Sequence, residues 1–257
     1  MSKKIEDAFS HGKAFIPFIT CGDPSLEITE EIVVAMEEAG ADLIELGIPF
    51  SDPTAEGPVI QAADTRALAS GTTTDKIFDM VSNLQSKVKV PMVFMTYANV
   101  VYSYGIEKFV KRAADLGIAG LILPDVPFEE KEEFEGICSD NGLDLISLIA
   151  PTSHQRVATI AKEAKGFVYC VSSLGVTGMR SKITTDVGAM VKLVKETKDI
   201  PCAIGFGISN PDQAREMAKY ADGVIVGSAI VKICGTYGKD CVPYVKQFVK
   251  EMKDAIR

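Results

Sequence analysis

The chain has 257 residues, 47% of them hydrophobic and 24% charged, which excludes a disordered polymer and allows a sizeable core. Its formal charge is -8 without a local basic stripe, so a nucleic-acid partner is not expected. No signal-like leader opens the sequence and no run of about 18 apolar residues occurs, so we expect a cytoplasmic protein without a membrane span.

Short apolar segments recur along the chain, each followed by a turn and a longer amphipathic stretch. The strand segments are Phe15–Thr20, Asp42–Leu46, Met92–Thr96, Gly120–Leu123, Leu145–Ile149, Phe167–Val171, Cys202–Phe206 and Gly223–Val226. Runs such as Leu121-Ile122-Leu123 lack alternation, as parallel strands covered on both faces require. Helical periodicity marks Glu27–Ala39, Glu107–Leu116, Glu129–Asn141, Val187–Thr197 and Pro211–Tyr220. Asp23-Pro24 and Asn210-Pro211 each place a capping side chain ahead of a proline, and Gly40, Gly117 and Gly142 suit left-handed helix ends. Eight such units in this length predict one α/β domain over 1–257, a closed (β/α)8 TIM barrel. An open doubly wound sheet is the alternative, weakened by the absence of Gly-x-Gly-x-x-Gly after the first strand. Two links are long. Ser51–Gly71 holds a short helix from Val59, and Ser172–Thr185 is rich in Gly, Ser and Thr; both leave the catalytic ends of strands.

Six scattered cysteines without a Cys-x-x-Cys pair read as reduced, mostly buried thiols. With only His11 and His154, neither a histidine-activated nucleophile nor a multi-histidine metal site is expected. Acid/base chemistry therefore falls to carboxylates. Glu45 is a charge inside the apolar strand Asp42–Leu46, flanked by Ile44 and Leu46. Alternation sends those neighbours toward the helices and Glu45 toward the barrel mouth, where burial raises its pKa toward a useful range. The other reading is a structural ion pair with a lysine or arginine of a neighbouring strand. Asp52 and Glu56 follow on a proline-bounded loop, one as a turn cap or either as a partner acid, and Asp125 ends the fourth strand as a residue that holds other loops. Gly205-Phe206-Gly207 after the seventh strand and Gly227-Ser228 after the eighth suit a phosphate cradled by backbone N–H groups, although glycines there also serve tight turns.

These motifs resemble the tryptophan synthase alpha subunit family along the whole chain. The resemblance rests on Phe15-Ile16-Pro17-Phe18-Ile19-Thr20-Cys21-Gly22-Asp23-Pro24, on Ile44-Glu45-Leu46-Gly47-Ile48-Pro49-Phe50-Ser51-Asp52-Pro53 and on Gly57-Pro58-Val59-Ile60-Gln61. Tyr97-Ala98-Asn99, Asp125-Val126-Pro127, Gly175-Val176-Thr177-Gly178 and Gly205-Phe206-Gly207-Ile208-Ser209 extend it. It implies a lyase that cleaves indole-3-glycerol phosphate to indole and glyceraldehyde 3-phosphate. On this resemblance Glu45 is the general acid/base, and Glu56 stands where the family carries an aspartate facing the indole N–H. It also implies phosphate contacts at Gly178, Gly207, Gly227 and Ser228. Phe18, Ile60, Met95, Tyr97, Ile122 and Tyr169 would line the indole pocket, or else simply fill the barrel core. Ser172–Thr185 resembles the family's mobile lid, with Thr177 meeting the second carboxylate and Ser173 where the family often has arginine. The resemblance implies a beta subunit in an alpha2beta2 complex, with pyridoxal phosphate held by that partner alone and no cofactor or metal here. The alternatives are a freestanding indole-3-glycerol-phosphate lyase and a weakly active barrel that chiefly binds and activates a beta subunit.

Overall fold

Where apolar runs are too short for helices and each is followed by an amphipathic stretch, parallel pairing through crossover helices is the economical way to bury both faces. The computed structural model describes residues 3–171, 187–205 and 207–257. In chain order it contains α1 (Lys3–Ser10), β1 (Ala14–Thr20), α2 (Leu26–Glu38), β2 (Ile44–Gly47), α3 (Pro58–Ala69), α4 (Thr74–Leu84) and β3 (Met92–Met95). Then come α5 (Ala98–Tyr104), α6 (Ile106–Asp115), β4 (Gly120–Ile122), α7 (Glu132–Asp140), β5 (Asp144–Ile149), α8 (His154–Glu163) and β6 (Lys165–Val171). The chain ends with α9 (Val187–Thr197), β7 (Cys202–Gly205), α10 (Pro211–Ala218), β8 (Gly223–Val226), α11 (Ser228–Tyr237) and α12 (Val242–Ile256). The strands pair in sequence order and β8 returns to β1, so the sheet is a closed parallel barrel rather than an open one.

Two apolar layers result. Phe15, Ile19, Ile44, Leu46, Phe94 and Leu121 join the layer between strands and helices. Ile16, Phe18, Val93, Met95, Ile122, Tyr169 and Ile225 fill the barrel interior. Glu45 is in register with Phe18 on one side and Val93 on the other, so the alternation that sends Ile44 and Leu46 outward sends Glu45 in.

Caps show where local chemistry fixes the ends. Asn210 accepts from the Gln213 N–H and Pro211 opens α10, as the sequence predicts. At α2 the capping expectation needs correction: Ser25 is the cap and accepts from the Ile28 N–H, while Asp23 forms an ion pair with Arg66 at 2.7 Å. Gly40, Gly117 and Gly142 all have positive φ, fitting their positions just past helices. The helix expected as a short one from Val59 is a full twelve residues, α3, with Pro58 in its first turn. The Glu129–Asn141 stretch divides into a 3-10 turn, Phe128–Glu130, and α7.

At the N-terminal end of the barrel, aspartates clip neighbouring strands together. Asp42, ahead of β2, accepts from the Phe15 N–H of β1 at 2.7 Å and from Lys253 at 2.7 Å. Asp222, ahead of β8, accepts from the Cys202 N–H of β7 at 2.8 Å and pairs with Lys195 at 2.6 Å. These charges stabilise the end opposite the mouth, leaving the C-terminal end of the strands free for chemistry.

Candidate active site

At the C-terminal end of the barrel a small cavity brings together residues from distant parts of the chain. Phe18 of β1, Glu45 of β2, Met95 of β3 and Tyr169 of β6 reach it from the strands. Glu56 and Ile60 enter from the β2–α3 link and α3, and Gly207, Gly227 and Ser228 from the loops after β7 and β8.

Glu45 is 1% exposed, and neither carboxylate oxygen has a hydrogen-bond partner among the described residues. The ion-pair reading therefore does not hold for Glu45. Burial, and then the nearby Glu56 carboxylate, push its pKa from 4.5 up to about 8. A carboxyl in that state is protonated at neutral pH and available as an acid. The charge costs more than the proton.

Glu56 is 4% exposed on the wall of the same cavity. Its loop is clamped from several directions. Gln61 donates to the Glu56 carbonyl at 2.6 Å, and the Ala55 N–H donates to the Tyr97 hydroxyl at 3.1 Å. The Tyr97 ring packs against Phe50 with centroids 5.4 Å apart. Tyr97 thus buttresses the loop that carries Glu56. Ile122 is fully buried in the barrel interior with Phe18, Met95 and Tyr169. Asp52 is exposed and accepts from the Ser51 hydroxyl, away from the cavity. Asp125 takes the positioning role expected of it: both oxygens accept from the Ala98 N–H, which caps α5 from outside its own sequence.

The glycine turns have separate physical reasons. Gly207 has φ 87°, a left-handed conformation that suits glycine. At Gly227 a Cβ would come within 3.2 Å of the Phe18 ring, so glycine lets the N-terminus of α11 close against the cavity. Ser228 opens that ten-residue helix, whose unpaired N–H groups and dipole favour an anion. Gly178, Thr177, Ser173 and the rest of the Ser172–Thr185 segment, with Phe206, lie outside the described residues.

Sequence reasoning missed two lining residues. Ile225 was within reach, since alternation between Val224 and Val226 turns it inward; Ile208 carries no such signal. It gave no packing role to Gly47, and read Gly205 only as part of a phosphate turn, although both lie close against cavity aromatics. A Cβ at Gly47 would sit 2.5 Å from Phe18, and one at Gly205 would sit 2.6 Å from Tyr169.

The model of the family described as tryptophan synthase alpha chain matches residues 6–257. The tryptophan synthase alpha chain of Lacticaseibacillus casei is 47% identical over 256 residues, covering 100% of this chain and 96% of that one. Among solved structures, Mycobacterium tuberculosis tryptophan synthase superposes with a TM-score of 0.90 at 32% identity, covering 100% of this chain and 99% of that one. A tryptophan synthase complex from Pyrococcus furiosus gives a TM-score of 0.86 at 34% identity, with 95% and 99% covered.

Proposed function

Since the chain belongs to the tryptophan synthase alpha chain family, we propose that the cavity at the barrel mouth is its active site and Glu45 its general acid/base. The protein is a carbon–carbon lyase of tryptophan biosynthesis that cleaves indole-3-glycerol phosphate to indole and glyceraldehyde 3-phosphate. The observation that carries the role of Glu45 is its unpaired, buried carboxyl, held protonated at neutral pH.

Glu45 delivers its proton to C3 of the indole ring, turning the ring into a cationic leaving group. The positive charge spreads to the ring nitrogen, whose N–H faces the Glu56 carboxylate. The hydroxyl on the adjoining glycerol carbon then gives up its proton, with the Glu45 carboxylate as acceptor. The bond between that carbon and C3 breaks, its electron pair returns to the ring, and the oxygen closes to an aldehyde. One proton enters and one leaves, so Glu45 ends as it began. The phosphate rests on the backbone at Gly207, Gly227 and Ser228. Phe18, Ile60, Met95 and Tyr169 hold the indole. Glu56 is one methylene longer than the family aspartate, and the clamps on its loop set how far its carboxylate reaches.

The chain works with a tryptophan synthase beta subunit, in an alpha2beta2 arrangement, and the Pro53 loop and Asn99 face that partner. In support, a groove of 360 Å³ runs beside the loop past Pro49, Phe50, Asn99 and Tyr104, continuous with the elements that place Glu56. Pyridoxal phosphate belongs to the partner, and this chain's own part is proton transfer and binding. Residues 1–257 act as one catalytic barrel in the cytoplasm, and no described helix is long and apolar enough to cross a membrane.

The test is indole release from indole-3-glycerol phosphate, with and without beta subunit. Glu45→Gln is expected to lose about 10²–10⁴-fold in turnover while still binding substrate. Near-normal turnover in that variant overturns the mechanism. Strong release by the unpartnered wild type would instead overturn dependence on a partner.

A further inference from the structure

The head of α5 breaks a local rule. Helices are capped best by Ser, Thr, Asp or Asn, yet the residue before α5 is Tyr97, whose side chain makes no capping hydrogen bond. The cap comes from another strand: both oxygens of Asp125, just beyond β4, accept from the Ala98 N–H at 3.1 Å. The Tyr97 side chain, 4% exposed, is thereby free to reach the β2–α3 link. Its ring packs against Phe50 and its hydroxyl accepts from the Ala55 N–H at 3.1 Å.

Ala55 directly precedes Glu56, and the Glu56 carbonyl accepts from Gln61 of α3 at 2.6 Å. The backbone is therefore held on both sides of the Glu56 side chain, by Tyr97 at the Ala55 N–H and by Gln61 at the carbonyl. Gln61 belongs to the helix that this link leads into, so its hold is local. Tyr97 belongs to the next βα unit, and its own backbone is fixed where β3 leads into α5, at the peptide that Asp125 grips. A tyrosine hydroxyl is at the far end of a rigid side chain, so a small rotation of that backbone becomes a larger displacement at Ala55. A glutamate also has one more rotatable bond than the aspartate the family carries there. A loose backbone then leaves its carboxylate more ways to miss its mark.

We infer that Asp125 is a positioning residue for the reaction, fixing the reach of Glu56 from two strands away through Ala98, Tyr97 and Ala55. The inference rests on Glu56 acting as the acceptor for the indole N–H. Asp125 itself is exposed at the end of the barrel that carries the site. Its part is to cap α5 from outside, so that the residue in the cap position can be a tyrosine that serves the neighbouring loop.

The experiment measures steady-state indole release with beta subunit in excess, so that a weakened complex does not enter the result. Asp125→Ala removes the acceptor and Asp125→Asn keeps one. Asp125→Ala is expected to lower kcat about tenfold with KM within about twofold of wild type, and Tyr97→Phe to do the same. Asp125→Asn should recover most of the loss. The double variant should be no slower than the slower single one, because both changes break one path. Near-wild-type kcat in Asp125→Ala, or losses that multiply in the double variant, overturns the inference. A second readout is the affinity, by titration calorimetry, for the unreactive 3-indolylpropyl phosphate against its N-methyl counterpart. Wild type is expected to favour the N–H form about tenfold more than Glu56→Ala does, and Asp125→Ala to lose at least about threefold of that preference. A residue that only stabilised the barrel would leave the preference unchanged, and that outcome overturns the inference. Wild type with no more preference than Glu56→Ala would instead overturn the role of Glu56, and wild type without indole release the proposed function.

Discussion

A carboxyl group that titrates at about 8 in the folded chain, against 4.5 when solvated, holds its proton more tightly folded than unfolded. Linkage turns that difference into a pH-dependent stability of definite sign. The stability contributed by protonated Glu45 is fully present below pH 4.5 and is lost as pH rises toward 8, where the folded chain must also ionise. The loss amounts to about 1.4 kcal/mol for each pH unit between the two values. Glu45→Gln has no proton to lose, so its unfolding free energy lacks this slope. Urea unfolding of both proteins at a series of pH values should therefore show wild type falling relative to the variant through the neutral range, and the difference levelling off above about 8. Parallel curves would mean that Glu45 is solvated or paired in solution. Asp64, buried on α3 and itself pushed up to about 7 by burial, is present in both proteins, so its contribution largely cancels in the comparison. The signal that exposed Glu45 in the sequence was a charge where alternation demanded a buried side chain. Asp64 carried the same signal, a carboxyl on the apolar stripe of Ile60, Ala63 and Ala67, but only α3's true length makes that stripe visible.

Gly47 shows how an element shapes the cavity without touching substrate. It ends β2, two residues beyond Glu45, and a Cβ there would meet the Phe18 ring at 2.5 and 2.7 Å. The ring has little room to retreat, because Gly227 at the head of α11 already approaches it from another side. Gly47→Ala is expected to cost about 1–3 kcal/mol of stability through overpacking. By displacing a wall of the indole pocket it should also lower kcat/KM about 10²-fold, the effect of roughly an ångström of misplacement. Denaturant unfolding and steady-state kinetics on the same preparation check both, and wild-type values in either would show that Phe18 moves freely. Elements with a single strong signal were legible: Val187–Thr197 and Gly223–Val226 have the expected bounds, and the inward turn of Glu45 followed from period-two alternation. Features set by contact across the chain were not. The Ser25 cap was masked because Asp23-Pro24 offers the same chemistry, while Asp23 is drawn off by Arg66, 43 residues away. The hold of the Tyr97 hydroxyl on the Ala55 N–H has no local signal, and no local pattern marks Gly47 or Gly205 as the place where an aromatic ring must fit.

The barrel closes where β7 meets β8 and β8 meets β1, and the proposed phosphate cradle spans the loops that leave this seam. The chain's formal charge of -8 opposes an approaching phosphate at long range, so affinity must come from short-range dipoles at Gly207, Gly227 and the head of α11. A ligand that binds this site only in the folded barrel stabilises the whole molecule by mass action, about 2.7 kcal/mol at a hundredfold excess over Kd. For a chain of this size that corresponds to a rise in Tm of about 5–10 °C. Glycerol 3-phosphate should produce the rise and glycerol should not, as read by calorimetry. Ser228→Asp separates binding from folding. A carboxylate in the first turn of α11 is favoured by the helix dipole and leaves the barrel intact, yet it occupies and repels the anion's position. The variant should thus unfold at about the wild-type temperature without ligand. It should also show no response to glycerol 3-phosphate. An undiminished response would place the phosphate elsewhere on the barrel, and with it the orientation of substrate that brings the indole ring to Glu45.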